Sequence, residues 1–546
     1  MRKNIFSFFI IIFLLLVFTF FGIITQAEKI PSPPDNLRIL NKNNNSIKIC
    51  WEKGFYPDSK NYFVSNADKR GTHDLINPCA EYSSISNCTY IVYSGLNQDP
   101  YIVKYNHSTG LWSDSFRVGI NPLEDDDHGH PSMVIDKNGY IHVFYGCHNT
   151  AIKHKVSSKP YMIDSWNYSS NIIGAHTYPI PKLIDDDIYL LCKGSDYDIY
   201  LYNLSNSSFF GKKIIGFPSG NWVYIKSLEK DSKNNLHISF NYYNKIKKNR
   251  YDIYHAIYNL KNNSLTNITG FNLGENINFS EAERYCRAYN SGLESCYNPT
   301  MHLDSNDNPY IIFTKMNEYH NENMTCFIYW NGYKWTKPVE ITSCKTKWET
   351  SDFIINDNNT IDVFLTVNKI FDRGGRIEKW RWDGKNWFKI INILRSENNT
   401  KTLVHPTICI NNSYEIKIIF SEYSDYYNQN NLKMYAYGEG GIVKKNNETV
   451  YTMIRYSTED NLTDINSGWE IYNGTGINTV INNNKNDTTY YLRAWSFDKK
   501  NGWNNDGSNI LLIKKNYNIS ITMIIIISFI SLLFSLVFLK KLIKLK

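Results

Sequence analysis

The chain has 546 residues and a net charge of +7, and its lysines and arginines form no dense stripe. That excludes a nucleic-acid footprint, and the length excludes a single compact core, so one large and at least one smaller domain are expected. Aromatic residues are abundant (41 Tyr, 28 Phe, 13 Trp) and Gly, Asn and Asp turn signals recur at short intervals, the profile of an all-β chain of many short strands.

At the N-terminus, Arg2-Lys3 precede an apolar run from Ile5 to Ile24, which reads as a signal peptide or retained anchor over 1–27. Pro31–Glu52 follows with a Pro-rich start, a strand, a polar turn and a second strand ending in Cys50-Trp51. This opening resembles a fibronectin type III module, but the module's continuation is absent and Gly54–Ser83 is irregular. The missing part resembles Thr449–Lys515, where Tyr490-Tyr491-Leu492-Arg493-Ala494-Trp495-Ser496 has the look of a late strand of the same module. The expected arrangement is one fibronectin III-like sandwich split into 31–53 and 447–515, with a large domain at 83–445 inserted in a loop. Two independent small pieces flanking that domain are the alternative.

Between the halves runs a repeat. His130–Tyr145 (HPSMVIDKNGYIHVFY) is echoed at Asn298–Phe313 and His405–Phe420, and more weakly at Tyr178–Lys193, Tyr224–Phe240 and Ser351–Leu365. Each copy reads as strand, Asp/Asn turn, strand, and Trp-containing hairpins such as Trp330–Trp335 and Trp382–Trp387 fall between copies. A four-stranded unit at roughly 40–50-residue spacing predicts a β-propeller of about seven blades; a β-helix repeat is much shorter. Ten cysteines suit an exported body stapled by disulfides, with Cys79/Cys88, Cys286/Cys296 and Cys326/Cys344 as plausible pairs. Sequons such as Asn87-Cys88-Thr89 and Asn267-Ile268-Thr269 fit an extracellular glycoprotein surface. Ile521–Leu539 carries no charge and is long enough to span a bilayer. Lysines at 540, 541, 544 and 546 make 540–546 a cytoplasmic tail and leave the body outside a single-pass cell membrane anchor.

The most specific stretch is Asp126-Asp127-His128-Gly129-His130-Pro131, followed by a hairpin that closes at Phe144-Tyr145-Gly146-Cys147-His148. Strand pairing brings His128 and His148 together from twenty positions apart. With Tyr90–Tyr93, Asp99–Val103 and Gly110–Ser113 before it, this order resembles the BNR repeat-containing propeller family that includes ulvan lyases and related polysaccharide lyases. The Asp-box of sialidases is absent. The resemblance implies a cleft lined by two histidines, a tyrosine and an arginine. His128 and His148 match the pair, and Tyr178 in Thr177-Tyr178-Pro179 matches the tyrosine. Lys193 stands where the family has its arginine, with the charge but without the planar fork. His130, Tyr242 and Tyr243 are implied as substrate-binding residues, and Arg284 and Arg287 are alternative cations.

The implied chemistry is β-elimination on a uronate-containing polysaccharide. A cation steadies the carboxylate, a base takes the proton beside it, and an acid protonates the leaving oxygen. No cofactor is implied; the acidic runs Glu124–Asp127 and Asp185–Asp187 read as solvated turns, with structural calcium as the alternative. A non-catalytic adhesin or glycan-binding propeller is the alternative function, while a glycosidase needs a carboxylate pair that no motif singles out. An acidic polysaccharide or cell-surface glycan is the expected partner.

Overall fold

The computed structural model describes residues 31–513 apart from 43–45, 56–57, 124–125, 206–207, 219, 318–321, 345–350, 368–374, 397–400, 425–429, 483–488, 499–501 and 505. The expected signal segment, transmembrane helix and tail lie outside the described residues. Among these residues no helix is long and apolar enough to cross a membrane. The chain is all-β and divides into two compact units. The smaller is built from the stretch ending at Gly54, from Tyr451–Gly474 and from Asn478 onward; the larger is Phe55–Val450 with Thr475–Ile477.

In the smaller unit, strands Asp35–Lys42, Ser46–Glu52 and Asn478–Asn482 form one sheet. Tyr451–Ser457, Trp469–Gly474 and Tyr490–Asp498 lead a second. Ile47, Ile49 and Trp51 from the first sheet share one buried core with Ile454, Leu492 and Ala494 from the second. Apolar alternation along each strand puts these residues on the inward faces.

The larger unit repeats an antiparallel four-stranded sheet, and the sequence repeats supply its first two strands. Ser132–Ile135 pairs with Ile141–Tyr145, Ser295–Leu303 with Pro309–Asn317, and Lys401–Ile408 with Ile418–Ser424. One turn chemistry makes these hairpins. The Asp136 carboxylate accepts the backbone N–H groups of Asn138 and Tyr140, with Gly139 at φ +87°. Asp231 and Asp304 do the same for their own turns, with Asn234 and Asp307 at positive φ. Second strands such as Cys88–Ser94 and Ile361–Val367 are buried at every residue, because neighbouring sheets cover both faces.

First strands touch in sequence order: Ala80–Ser83, Ser132–Ile135, Ile172–Ile184, Asn221–Lys230, Ser295–Leu303, Ser351–Ile355, Lys401–Ile408. The order closes on itself where Ile410 exchanges backbone hydrogen bonds of 2.9 Å with Ala80 and Tyr82. The last sheet borrows its outer strand, Val64–Ala67, from the front of the unit, where it pairs with Leu432–Gly438. The large unit therefore starts at Phe55, not near residue 83, and the irregular stretch is part of it.

A cavity of about 370 Å³ opens among the first strands, with Lys182, Glu229, His302 and Asp352 in its wall. Lys182 Nζ lies 2.5 Å from Glu229, and His302 bridges Glu229 (3.0 Å) and Asp352 (2.8 Å).

The disulfide expectation is corrected: all ten cysteines are free and buried. Register explains it. Cys326 faces Glu340 while Cys344 faces Asn323, three residues apart on adjacent strands. Cys79 meets Val92 rather than Cys88, and Cys286 caps the helix Phe279–Tyr285 while Cys296 lies in strand Ser295–Leu303. For the first two pairs the register sets the cysteines beyond the reach of an S–S bond.

Candidate active site

Three local features bring the side chains together. The first is a 3-10 turn, Asp127–Gly129, capped by Asp126, whose carboxylate accepts the His128 N–H at 3.0 Å. The second is a cross-sheet pairing in which strand His148–Ser157 runs on to strand Ile172–Ile184 with His148 opposite Thr177. The third is a register slip between Thr177 and Ile180 that puts Tyr178 at φ +60° before Pro179. A bulky residue in the left-handed region costs about 1–3 kcal/mol and persists where surrounding structure holds it. The same device recurs at Asn298 before Pro299 and His405 before Pro406, both at φ +54° beside a register slip.

His128 and His148 stack with ring centroids 3.9 Å apart and planes 15° off parallel. Asp126 holds both: its Oδ1 lies 2.5 Å from His128 Nδ1, and its Oδ2 is bonded to His148 Nδ1. Burial alone would raise the Asp126 carboxyl, but the bonds from His148 and His128 overcome it and keep the group well below the ordinary carboxylate range. Burial, reinforced by His73, lowers His128, so the imidazole is neutral near pH 7.

Tyr178 is buried, 5.7 Å from the His128 ring and 6.0 Å from Tyr224. Burial, with Tyr224 next, pushes its phenol well above 10; it is a proton donor at neutral pH. Beyond Tyr224 lie two cations. The Arg250 guanidinium sits 3.4 Å over the Tyr224 ring and donates to Asn298 Oδ1 at 3.3 Å. Lys193, opposite Thr177, places Nζ 5.9 Å from the Tyr224 ring and 5.5 Å from that of Tyr197. Lys193 is 6% exposed, and no carboxylate pairs with it among the described residues. Burial and then Arg250 lower its ammonium to about 8.

The predicted residues His128, His148, Tyr178 and Lys193 thus lie along one continuous set of contacts. His130 is buried just behind, its Nδ1 on the Asp127 carbonyl and its ring 5.8 Å from His73. Tyr243 stacks on Trp222 at 5.1 Å, and Trp222 on Tyr197 at 5.7 Å, forming an aromatic ladder that ends beside Lys193. Tyr242 instead packs on Phe279 and Tyr254. Arg287 is engaged by Glu283 and Asp252, and Arg284 lies over Tyr285; neither meets the histidines.

Sequence reasoning missed three contributors. Asp126 was hidden in the acidic run, which is also where Asp127 binds Arg70. His73 came from the irregular stretch; its ring is 5.4 Å from His128 and 5.9 Å from Tyr178. Arg250 had no motif. Of the other acidic run, Asp186 meets Lys137 and Asp185 accepts from Asn234 at 2.8 Å.

Comparison with known proteins bears on this arrangement. Residues 88–341 match the BNR repeat-containing family. An ulvan lyase from Alteromonas sp. (strain LOR) is 27% identical over 438 residues, covering 70% of this chain and 88% of the relative. An ulvan lyase of type PL25 from Pseudoalteromonas sp. (strain PLSV) is 26% identical over 407 residues, covering 65% and 82%. A solved PL25 ulvan lyase superposes with a TM-score of 0.65 at 24% identity, covering 71% of this chain and 97% of that one. Another, bound to -[GlcA(1-4)Rha3S]-, gives 0.64. These two likenesses show a shared fold.

Proposed function

We propose that this chain, a BNR repeat-containing protein of the ulvan-lyase-like family, is a polysaccharide lyase that cleaves a uronate-containing glycan by β-elimination. One observation carries the reading. A neutral imidazole, a protonated phenol and a buried lysine without a carboxylate partner among the described residues lie in succession around Tyr178 and Tyr224. The Lys193 ammonium and the Arg250 guanidinium take the uronate carboxylate, and Arg250 supplies the two-donor fork that Lys193 lacks. Holding that carboxylate stabilises the charge that builds on it as the C5 proton leaves. His128 accepts the proton, and its Nδ1 contact with Asp126 leaves Nε2 as the basic nitrogen. The C4–O4 bond then breaks, the C4=C5 double bond forms, and the Tyr178 hydroxyl protonates the departing oxygen. The phenolate left behind recovers its proton from His128 or solvent.

The same reading extends to the whole chain. The closed order of first strands and the borrowed outer strand support a seven-bladed propeller, and the shared core across two sheets supports a fibronectin III-like module split around it. The terminal apolar segments of the sequence support export and a membrane anchor, with the body facing extracellular glycans.

The test is to incubate the purified protein with a panel of uronate polysaccharides and follow the ultraviolet absorbance of the unsaturated product. Activity that falls by about 10²–10⁴-fold in both His128→Ala and Tyr178→Phe supports the reading. No absorbance change on any substrate, with glycan binding retained, overturns it in favour of a binding protein.

A further inference from the structure

The elimination chemistry gives His73, Asp127 and His130 no part in moving a proton. His73, Asp127 and His128 each bring a potential ligand atom within 4.8 Å of the others. Donors on one zinc ion sit roughly 3–4 Å apart, given metal–ligand bonds of about 2 Å, so side-chain adjustment alone closes the set. Anchoring of the Nδ1 atoms points the same way. His128 Nδ1 is 2.5 Å from Asp126 Oδ1 and His130 Nδ1 is bonded to the Asp127 carbonyl, while His73 Nδ1, 3.0 Å from Asp74 Oδ1, accepts the Leu75 N–H at 3.0 Å. A histidine whose Nδ1 is fixed by an oxygen offers Nε2 as a lone pair, the arrangement behind metal-ligating histidines.

A second observation is independent of the cluster's composition. His130 is 1% exposed, and its Nε2 is buried without a hydrogen-bond partner. Its ring lies 5.8 Å from the His73 ring, tilted by 57°. Such an atom is costly unless something completes it.

Asp126, His128 and His148 form an overlapping group, but there both carboxylate oxygens are spent on the two imidazoles. In the first group Arg70 binds only Asp127 Oδ2, while Oδ1 lies 3.5 Å from His128 Nδ1. Two imidazoles and a carboxylate, with a third imidazole behind, suit a zinc-class ion over calcium or magnesium, which favour all-oxygen shells.

We infer that His73, Asp127 and His128, backed by His130, form a binding site for one zinc-class divalent ion, and that occupancy switches the elimination off. The switch rests on the lyase reading, in which His128 is the base. An ion on its lone pair leaves nothing to take the C5 proton. The binding itself does not depend on that reading.

The experiment titrates ZnCl₂ into the chelator-stripped full-length protein by calorimetry, with Co²⁺ absorption as a ligand probe. One ion per chain is expected, with cobalt ligand-field bands and no thiolate charge-transfer band. His73→Gln and Asp127→Asn should each weaken binding at least tenfold. Cys286→Ser should leave affinity unchanged. Absence of binding, equal affinity in both ligand variants, or a thiolate band overturns the site. Asp127, on a partly exposed turn, keeps the test open if His73→Gln does not fold. In the elimination assay, saturating zinc should remove activity and chelator restore it. Unchanged activity at saturating zinc, or activity lost on chelation, overturns the switch. Zinc binding by a protein inactive on every substrate fails the lyase reading alone and leaves the site standing.

Discussion

Lys193 keeps its charge only on the acid side of its shifted range. Burial and the Arg250 guanidinium bring its ammonium to about 8, so it is charged below that pH and neutral above it. Elimination should therefore fall as pH rises through about 8. Arginine at this position stays charged throughout, so Lys193→Arg should move the alkaline limb of kcat/KM upward by more than one pH unit. An alkaline limb that stays put in the variant would assign it to another group. On the acid side, burial and His73 hold His128 below the ordinary histidine range, and activity should persist into mildly acidic buffer. Asp126 is the shared anchor. Asp126→Asn keeps the shape but removes a carboxylate oxygen that His148 and His128 use, and kcat should fall by about 10²-fold with KM little changed. His128, His148, Tyr178 and Lys193 could be found in the sequence because each sits in a motif. Arg250 and His73 could not, and Asp126, although inside the first of those motifs, read as part of a solvated turn. Arg250 reaches the site by stacking on Tyr224 from another strand pair, and His73 sits in a stretch without periodicity. The Tyr178-Pro179, Asn298-Pro299 and His405-Pro406 steps were visible as text, but their shared positive φ follows from register slips that only strand pairing reveals.

At the scale of the element, the first strands are tied across the cavity as well as along their backbones. Lys182 lies in strand Ile172–Ile184, Glu229 in Asn221–Lys230, His302 in Ser295–Leu303 and Asp352 in Ser351–Ile355, so one chain of charges joins four consecutive sheets. His302 would be lowered by burial, but Asp352 and Glu229 raise it to about 9. Glu229 would be raised by burial, but Lys182 and His302 lower it to about 2. The histidine's contribution is thus complete below its unfolded value near 6.5 and is lost as pH rises through about 9. The glutamate's is complete above its unfolded value near 4.3 and is lost as pH falls through about 2. His302→Ala should destabilise the large unit by about 1–3 kcal/mol at pH 6, toward the low end of broken ion pairs because the network faces a cavity. The deficit, read from urea unfolding at several pH values, should shrink between pH 7 and 10. A deficit that is flat across this range would make His302 a packing residue. The hairpins themselves were readable from Asp136-Lys137-Asn138-Gly139 and its echoes, since the turn chemistry is local. The charges that join the hairpins were not, since each lies on a different copy.

At the scale of the whole molecule, chain order and spatial order part company twice. Val64–Ala67 completes a sheet whose other strands come from Lys401–Gly438; four residues with one buried valine give no periodic signal, so the sequence offered no hint of this closure. The smaller unit was easier to read because its two parts carry apolar alternation and tryptophans, among them Trp51 and Trp495. Both are fully buried. Trp51 packs among residues that arrive some four hundred positions later, with the Tyr472 ring 4.9 Å away. Truncating such a side chain removes both its transfer energy and its packing, about 3–5 kcal/mol for a buried tryptophan. That is a large fraction of what a domain of this size holds in reserve. Each unit has its own buried core, so the loss should fall on one of them. Trp51→Ala should lower or abolish the thermal transition of the smaller unit, while the other transition and the elimination rate stay within error of the parent. Calorimetry on the full-length protein reads both transitions in one scan. If the two shift together, the units unfold cooperatively and the separate cores do not act as separate folding units.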